Sequence, residues 1–427
     1  MDLEFLGGAG EIGRSAILVD DTLLLDFGMD SGNPPKYPLG EVNPEAVVVS
    51  HGHLDHVGAL PSLLSGDARP EIHWTPPTAD LTEVLARDTL NLHGGTYDCP
   101  FTEAELARVS QVSETHGYEE PFEAAGYEVT FFEAGHVPGS AHVLVDSTGR
   151  SAASNRTRSD DDGGTRLLYT GDFHTEEQNL LAGTTARPDA DVVLCESTYA
   201  DVTRPPRDEI EREFAESLRR TIYEGGTVVV PVFAIGRTQE VLCICEKYDL
   251  ACYVDGMGKR VTELFLRERN RPFLRDPDLL RRAKGNARFV DGRDGQRRQI
   301  AEENTVIVTT SGMLHGGPAM TYIPEIRSHP VNKIAMTGYQ VEGTPGRELL
   351  ETGSAEIDGR VMPVSARVEQ YDFSAHADRE GLLAFLEAYR DAEVLINHGD
   401  RCGAFAEELR ADGFDASAPE LGECLEM

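Results

Sequence analysis

"VVVSHGHLDHVGALP", residues Val47 to Pro61, sets three histidines and an aspartate within six positions directly after an apolar run. The chain has only 13 histidines among 427 residues, so this crowding needs a chemical reason. The valine run reads as a buried strand, and the segment after it as a helix start interrupted by Pro61. A strand sends alternate side chains to one face. The loop leaving it therefore aims His51 and His53 at one point, and Asp55 and His56 at a second beside it. Imidazole nitrogen suits zinc, and a carboxylate completes or bridges such a site. A lone histidine at a strand end is usually a hydrogen-bonded core residue, but three with an aspartate at this spacing predict a metal centre.

On the N-terminal side, "AILVD" and "TLLLDFG" read as two strands of a hairpin. On the C-terminal side, "PEIHWT", "YEVTFFEAGH", "AHVLVD", "RLLYTGDF" and "DVVLCEST" read as further strands, with "TADLTEVLARDTLNLHG" as a helix. A polar, low-complexity loop runs from Ser147 to Arg166. Near residue 200 the pattern changes. "RPPRDEIEREFAESLRRTIYEGG" is a long amphipathic helix opened by prolines and closed by glycine. Strands then alternate with helices through "TVVVPVFAIGRTQEVLCICE", "ACYVDG", "NTVIVTTSGMLHGGPAM" and "NKIAMTGYQVEG", which predicts a second, mostly parallel α/β unit. Strand character returns at about residue 352, followed by a helix, the strand "AEVLINHGD" and a final helix.

Composition narrows the setting. The net charge is −35, spread along the chain rather than gathered in a tail, and only five of the 39 basic residues are lysine. A diffuse acidic surface of this kind fits a halophilic host, where the Debye length in molar salt is about 3 Å. The N-terminus "MDLEFLGGAGEIG" lacks the basic and apolar regions of a signal peptide, and no apolar run approaches the ~20 residues of a membrane span. The expectation is a cytoplasmic protein. Seven cysteines, none in a C-x-x-C pair, argue against a disulfide framework and receive no role.

The histidine-rich stretch resembles the metallo-β-lactamase superfamily. That resemblance implies further ligands at later strand ends: His136 in "AGHVPGSAH", and Asp172 in "YTGDF" as the carboxylate shared by two metals. It also implies that Asp26, ending "LLLDFG", orients ligands from behind. His142 is a rival to His136, and the A-G-H-V-x-G-S pattern favours His136. Downstream, "CESTYAD" with Glu196, "YDFSAHAD" with His376 and "LINHGD" with His398 resemble the A, B and C motifs of the β-CASP nucleases. That group includes the cleavage and polyadenylation specificity factor endonuclease and ribonuclease J. "NHGD" stands where the group usually has H-G-E. The likeness spans nearly the whole chain and is closer to the polyadenylation-factor type. It points to the short archaeal members without KH domains, since no nucleic-acid-binding extension precedes residue 1.

The resemblance implies an α/β architecture: a metallo-β-lactamase αββα sandwich over residues 1–200 and 352–427, with a parallel-sheet β-CASP domain inserted over 201–351. It implies a ribonuclease with two Zn2+. His51, His53 and His136 hold one ion, Asp55, His56 and His398 the other, and Asp172 bridges them. His376, steered by Glu196, is the expected general acid. "TTSGMLHGGP" is an expected phosphate cradle through Ser311, Gly312, Gly316 and Gly317, with Arg237 and Arg347 as phosphate contacts. The expected partner is single-stranded RNA, within a homodimer or an RNA-processing complex. Endonucleolytic and 5′→3′ exonucleolytic modes both stay open. So do two other classes, a catalytically weak RNA-binding scaffold and a hydrolase of small esters. The scaffold is disfavoured because all seven ligand positions are filled. The ester hydrolase would need neither the insertion nor His376. His73, His93, His116, His174, His315 and His329 fit no ligand pattern and default to surface or capping roles.

Overall fold

The computed structural model describes residues 1–32, 34–147, 164–293, 295–357 and 359–427, so most of the polar loop expected over 147–166 lies outside the described residues. The chain divides into two compact units. One comprises residues 1–176, 183–203 and 376–427, the other residues 177–182 and 204–375.

Among the described residues, the first unit contains two seven-stranded sheets. One runs, in spatial order, Cys424–Glu426, Asp2–Gly7, Ala16–Val19, Leu23–Leu25, Ala46–Val48, Glu71–Trp74 and Ser113–Thr115. The other runs Asp415–Ser417, Glu393–Asn397, Val192–Glu196, Arg166–Tyr169, Ala141–Asp146, Tyr127–Glu133 and Phe122–Ala124. Strand alternation sorts the side chains into layers. Leu23, Leu25, Ala46 and Val48 share one core with Val129, Phe131, Val143, Val145 and Leu167, so the two sheets pack face to face. Their neighbours Leu24 and Val47 point the other way, onto Leu60, Leu64, Ala86 and Leu106 of flanking helical segments. The second sheet's outer residues Leu168, Val193, Val394 and Ile396 meet Leu382 and Phe385 of the helix Arg379–Leu386 and Phe405 and Leu409 of the helix Cys402–Ala411. The result is helix, sheet, sheet, helix. Burying each such aliphatic side chain contributes about 1.5–3 kcal/mol, which lets strands as short as Leu23–Leu25 hold their place.

The second unit is built on a six-stranded sheet whose pairings are all parallel, in the order Arg288–Phe289, Cys252–Asp255, Val306–Thr309, Val228–Pro231, Lys333–Met336 and Arg367–Gln370. One face packs Val228 and Val230 on Phe214, Leu218, Val241 and Ile244. The other packs Val229, Ile307 and Ile334 on Tyr322, Ile323 and Leu349. Parallel strands need crossover helices, which here cover both faces.

By compactness the chain passes back to the sandwich at His376, whereas the sequence plan sets that boundary at residue 352. Arg367–Gln370 pairs with Lys333–Met336, and the hairpin of Ser354–Ile357 and Arg360–Pro363 buries Ala355 and Ile357 in the second unit's core. Residues 177–182 also fall in the second unit, where the Asn179 and Leu180 amides donate to the Glu240 carboxylate at 3.0 and 2.8 Å. The expected final helix is not the last element, because Asp415–Ser417 and Cys424–Glu426 follow it as edge strands. Among the described residues no helix is long and apolar enough to cross a membrane.

Candidate metal centre

The positions predicted as ligands stand just past the ends of the sandwich strands. His51 follows Ala46–Val48, His136 follows Tyr127–Glu133, Asp172 follows Arg166–Tyr169, and His398 follows Glu393–Asn397. His53 and Asp55 flank the start of the one-turn helix Leu54–Val57, and His56 lies within it. Gly171 lets Asp172 approach. Its φ is +50°, and a Cβ there would sit 2.7 Å from the Ser50 Cβ.

These side chains converge in two overlapping groups, His51, His53, His136 with Asp172, and Asp55, His56, His398 with Asp172. His53 Nδ1 lies 3.2 Å from His51 Nε2 and 3.0 Å from His136 Nε2. A tetrahedral zinc with bonds of about 2.0–2.1 Å spaces its nitrogens by about 3.3 Å, so three imidazoles at these separations suit one shared ion. The Asp172 Oδ2 lies 3.6 Å from His51 Nε2, 3.5 Å from His56 Nε2 and 3.9 Å from His136 Nε2. Its Oδ1 lies 3.1 Å from His398 Nδ1, while His398 Nε2 is 3.5 Å from Asp55 Oδ2. One carboxylate therefore faces both groups. His56 Nε2, His398 Nε2 and Asp172 Oδ1 are buried without a hydrogen-bond partner, an arrangement that is costly unless a cation takes their lone pairs. The donor set fits divalent metal.

Asp26 sets the histidine tautomers from behind. It is fully buried and accepts from the Ser50 amide and hydroxyl, the Tyr169 hydroxyl and His56 Nδ1–H, each at 2.7 Å. A carboxylate only accepts, so Nδ1 carries the His56 proton and Nε2 is left for metal. With the Ser50 hydroxyl proton committed to Asp26, its oxygen accepts from His51 Nδ1–H at 3.1 Å, which also turns His51 Nε2 inward. We expect Asp26→Asn to weaken metal binding by roughly 10–100-fold, because Asn cannot accept from all four donors. Competition with a chromogenic chelator checks this, and unchanged affinity would remove the orienting role.

The electrostatics follow burial and the two carboxylates. Burial pushes the pKa of His51 well down, and that of His53 to about 4, so both stay neutral, as metal ligation requires. Burial also opposes the charge on His56, but Asp172 and Asp26 outweigh it and hold His56 well above the ordinary value. Burial raises the Asp172 carboxyl, yet His398, His56 and His376 overcome that and keep it ionised. Beside this cluster, His376 Nδ1 lies 3.1 and 3.2 Å from the Glu196 oxygens and 3.9 Å from Asp172 Oδ2. Glu196 is itself buried and accepts from the Phe173 and Thr198 amides at 2.8 and 3.3 Å. Against the cost of burial, Glu196 and then Asp172 raise the His376 pKa. Its side chain keeps 18% exposure and that of Asp55 28%, and His53 is likewise only partly buried.

The remaining predicted positions are elsewhere. His142 is buried, gives its Nδ1–H to Thr170 O at 2.9 Å, contacts Thr184 Oγ1 at 3.2 Å, and belongs to neither ligand group. Ser311, Gly312, Gly316 and Gly317 lie in the second unit before the helix Ala319–Ile326, with the Ser311 amide already donating to Gly316 O at 3.2 Å. Arg237 opens the helix Arg237–Lys247 and donates to Thr337 O, and Arg347 pairs with Glu351 at 2.6 Å. His93, His315 and His329 are exposed as expected, but His174 and His73 are buried. His174 Nδ1–H donates to His376 O at 2.9 Å, and His73 Nδ1 is 3.0 Å from His116 Nε2. Sequence reasoning missed Ser50, Tyr169 and His174. Only Ser50, adjoining His51, carried a local signal.

Strand-end histidines and carboxylates on an αββα sandwich define a metal-dependent hydrolase. Residues 22–221 match the Beta-lactamase superfamily domain, 238–349 the Beta-Casp domain, and 361–419 the Zn-dependent metallo-hydrolase RNA specificity domain. The chain is 34% identical over 440 residues to RNase aCSPSF2 of Saccharolobus solfataricus, covering 100% of this chain and 85% of that protein. It is 30% identical over 444 residues to Probable RNase MJ4 of Methanocaldococcus jannaschii, covering 100% of both. To Transcription termination factor FttA of the same organism it is 29% identical, over 96% of this chain and 68% of that protein. A crystal structure of a protein of unknown function from Enterococcus faecalis V583 shares the fold, with TM-score 0.59, 13% identity and 99% coverage of both chains. The chain belongs to the β-CASP group of the metallo-β-lactamase superfamily.

Proposed function

We propose that this chain hydrolyses phosphodiester bonds of single-stranded RNA with two zinc ions, leaving 5′-phosphate and 3′-hydroxyl ends. His51, His53 and His136 would hold one ion and Asp55, His56 and His398 the other, with Asp172 serving both. Zinc at these positions supplies Lewis acidity, bringing a water pKa towards ~7 and offsetting charge on the phosphate oxygens. The chain's own groups do the rest. Glu196 accepts a hydrogen bond from His376 Nδ1–H and fixes the ring, and His376 delivers a proton to the departing 3′-oxygen. Asp26 keeps His56, and through Ser50 also His51, in the ligating tautomer.

The single observation supporting this reading is the Glu196–His376 pair beside Asp172, where His376 would be a proton donor next to the proposed metal ligands. A lactam- or ester-cleaving site has no need of it. The names of the archaeal relatives support RNA as substrate. Cleavage during transcription termination is a second setting, favoured by the match to FttA along 96% of this chain. Ser311, Gly312, Gly316, Gly317, Arg237 and Arg347 are proposed phosphate contacts. The sequence limits 1–200, 201–351 and 352–427 stand as the proposed domain plan beside the compact units above. A halophilic setting is proposed from the charge of −35, together with a cytoplasmic location, and a homodimer or an RNA-processing complex from the resemblance.

The test uses one RNA sequence bearing a 5′ cap, triphosphate or monophosphate, in molar KCl. Zinc-loaded protein should cut all three internally, and EDTA should stop cleavage until zinc is restored. Cleavage of the monophosphate RNA alone would make the enzyme an exonuclease. Intact RNA in every reaction would end the proposal.

A further inference from the structure

In the second unit's sheet, Val306–Thr309, Val228–Pro231 and Lys333–Met336 are neighbours, and their carboxyl ends carry an arrangement the metal chemistry does not use. The chain goes from Val228–Pro231 to one side of the sheet and from Val306–Thr309 to the other, so the direction of winding reverses between these two strands. Crevices at such reversals are where open parallel sheets take ligands. Phe233 leaves the first of the two strands and Tyr339 leaves Lys333–Met336. The pairing Val228 with Lys333 and Val229 with Ile334, continued, sets Phe233 opposite Gly338.

Phe233 is 41% and Tyr339 47% exposed, with Val341, two residues further on, at 44%. Their backbones are nonetheless held. Phe233 O accepts from the Thr238 amide at 3.1 Å and hydroxyl at 2.7 Å. Tyr339 O accepts from Gln340 Nε2 at 3.1 Å, and Gly338 O from Gln370 Nε2 at 3.0 Å. A Cβ on Gly338 would stand 2.9 Å from Arg237 Nη1, and one on Gly312 would stand 3.1 Å from the Phe233 nitrogen and 3.4 Å from its ring. A guanidinium thus crosses the bare Gly338, next in sequence to one exposed ring and across the ladder from the other.

We propose that Phe233 and Tyr339 form a base-stacking subsite for the RNA strand, with the Arg237 guanidinium at its phosphate. The inference rests on the reading of the chain as a ribonuclease and names how that enzyme grips its substrate. Exposed aromatic residues beside an arginine match a nucleobase joined to a phosphate. Charge gives the second reason. A chain of net charge −35 has no long-range attraction for a polyanion, and salt weakens phosphate contacts further. Stacking of uncharged faces survives both conditions.

The test measures KM and kcat of zinc-loaded protein on a short RNA and on the same RNA with single abasic positions. Phe233→Ala and Tyr339→Ala should each raise KM roughly tenfold or more. Phe233→Tyr and Tyr339→Phe, which keep the ring, should stay near wild type. In wild type, one or two abasic positions should carry a similar KM penalty, and that penalty should vanish in the alanine variants. Wild-type KM in both alanine variants would overturn the inference, even if those variants lose self-association, since the rings would then serve contact between copies. Abasic penalties that persist unchanged in the variants would overturn it too. In either case wild-type cleavage leaves the ribonuclease reading standing, whereas RNA left intact by wild type removes that reading and this inference with it.

Discussion

Asp172→Asn should leave a folded protein that binds less than one equivalent of metal tightly and cleaves RNA on the order of 10⁴-fold more slowly. The reason is local charge. Asp172 is buried, both its oxygens face ligand histidines, and its negative charge lies within 3.9 Å of His51, His56, His136, His376 and His398. Asparagine keeps the shape but removes the charge that would let two dications sit side by side in a poorly solvated pocket. A loss of about 5–6 kcal/mol of transition-state stabilisation corresponds to that rate, at 1.36 kcal/mol per factor of ten. Metal analysis of the dialysed variant, with initial rates on end-labelled RNA, decides the matter. Two retained equivalents together with a rate within tenfold of wild type would show that Asp172 is not the shared ligand.

Of the side chains that converge here, His51, His53, Asp55 and His56 are legible in the chain itself because they crowd one loop, whereas His136, Asp172, Glu196, His376 and His398 are reached only through the family resemblance of their short motifs. Their supports could not be read in the same way. Tyr169 occupies an inward position of an apolar strand, and nothing nearby in sequence reveals that its hydroxyl meets Asp26, 143 residues away. His174 reads as a loop histidine, yet it fixes the carbonyl of His376. Such roles arise from tertiary contact between distant segments, and alternation of apolar residues carries no trace of them.

The layers of the fold were equally legible, because Leu23–Leu25 and Ala46–Val48 declare a buried strand whatever they pair with. Sheet membership was not. "RVEQ" alternates like a strand, but Glu369 decides its place by pairing at 2.7 Å with Lys333, a buried lysine of the neighbouring strand. Cys424–Glu426, polar and three residues long, is held through its backbone pairing to Asp2–Gly7 and so left no apolar signature.

His376→Gln should lower kcat by roughly 10²–10⁴-fold at neutral pH, the range for loss of a positioned general acid, while metal content stays at the wild-type level. The sign of the pH effect follows from the same contacts. Glu196, then Asp172, raise the His376 pKa against the effect of burial, so the protonated ring persists to higher pH than in an ordinary histidine and is lost as pH climbs through that raised value. Wild-type cleavage should therefore fall on the alkaline side, and His376→Gln should abolish that limb. Glu196→Gln removes the largest raising influence, leaves burial to dominate, and should move the limb to lower pH. A substrate with sulfur in place of the bridging 3′-oxygen separates this role from a structural one, because a thiolate departs without needing a proton. On that substrate His376→Gln should recover to within about tenfold of wild type. His376 also stands with Asp172 and Glu196 in a group able to hold a cation. If the variant instead lost metal, or stayed equally slow on the sulfur substrate, His376 would be a ligand, and another group would have to protonate the departing oxygen.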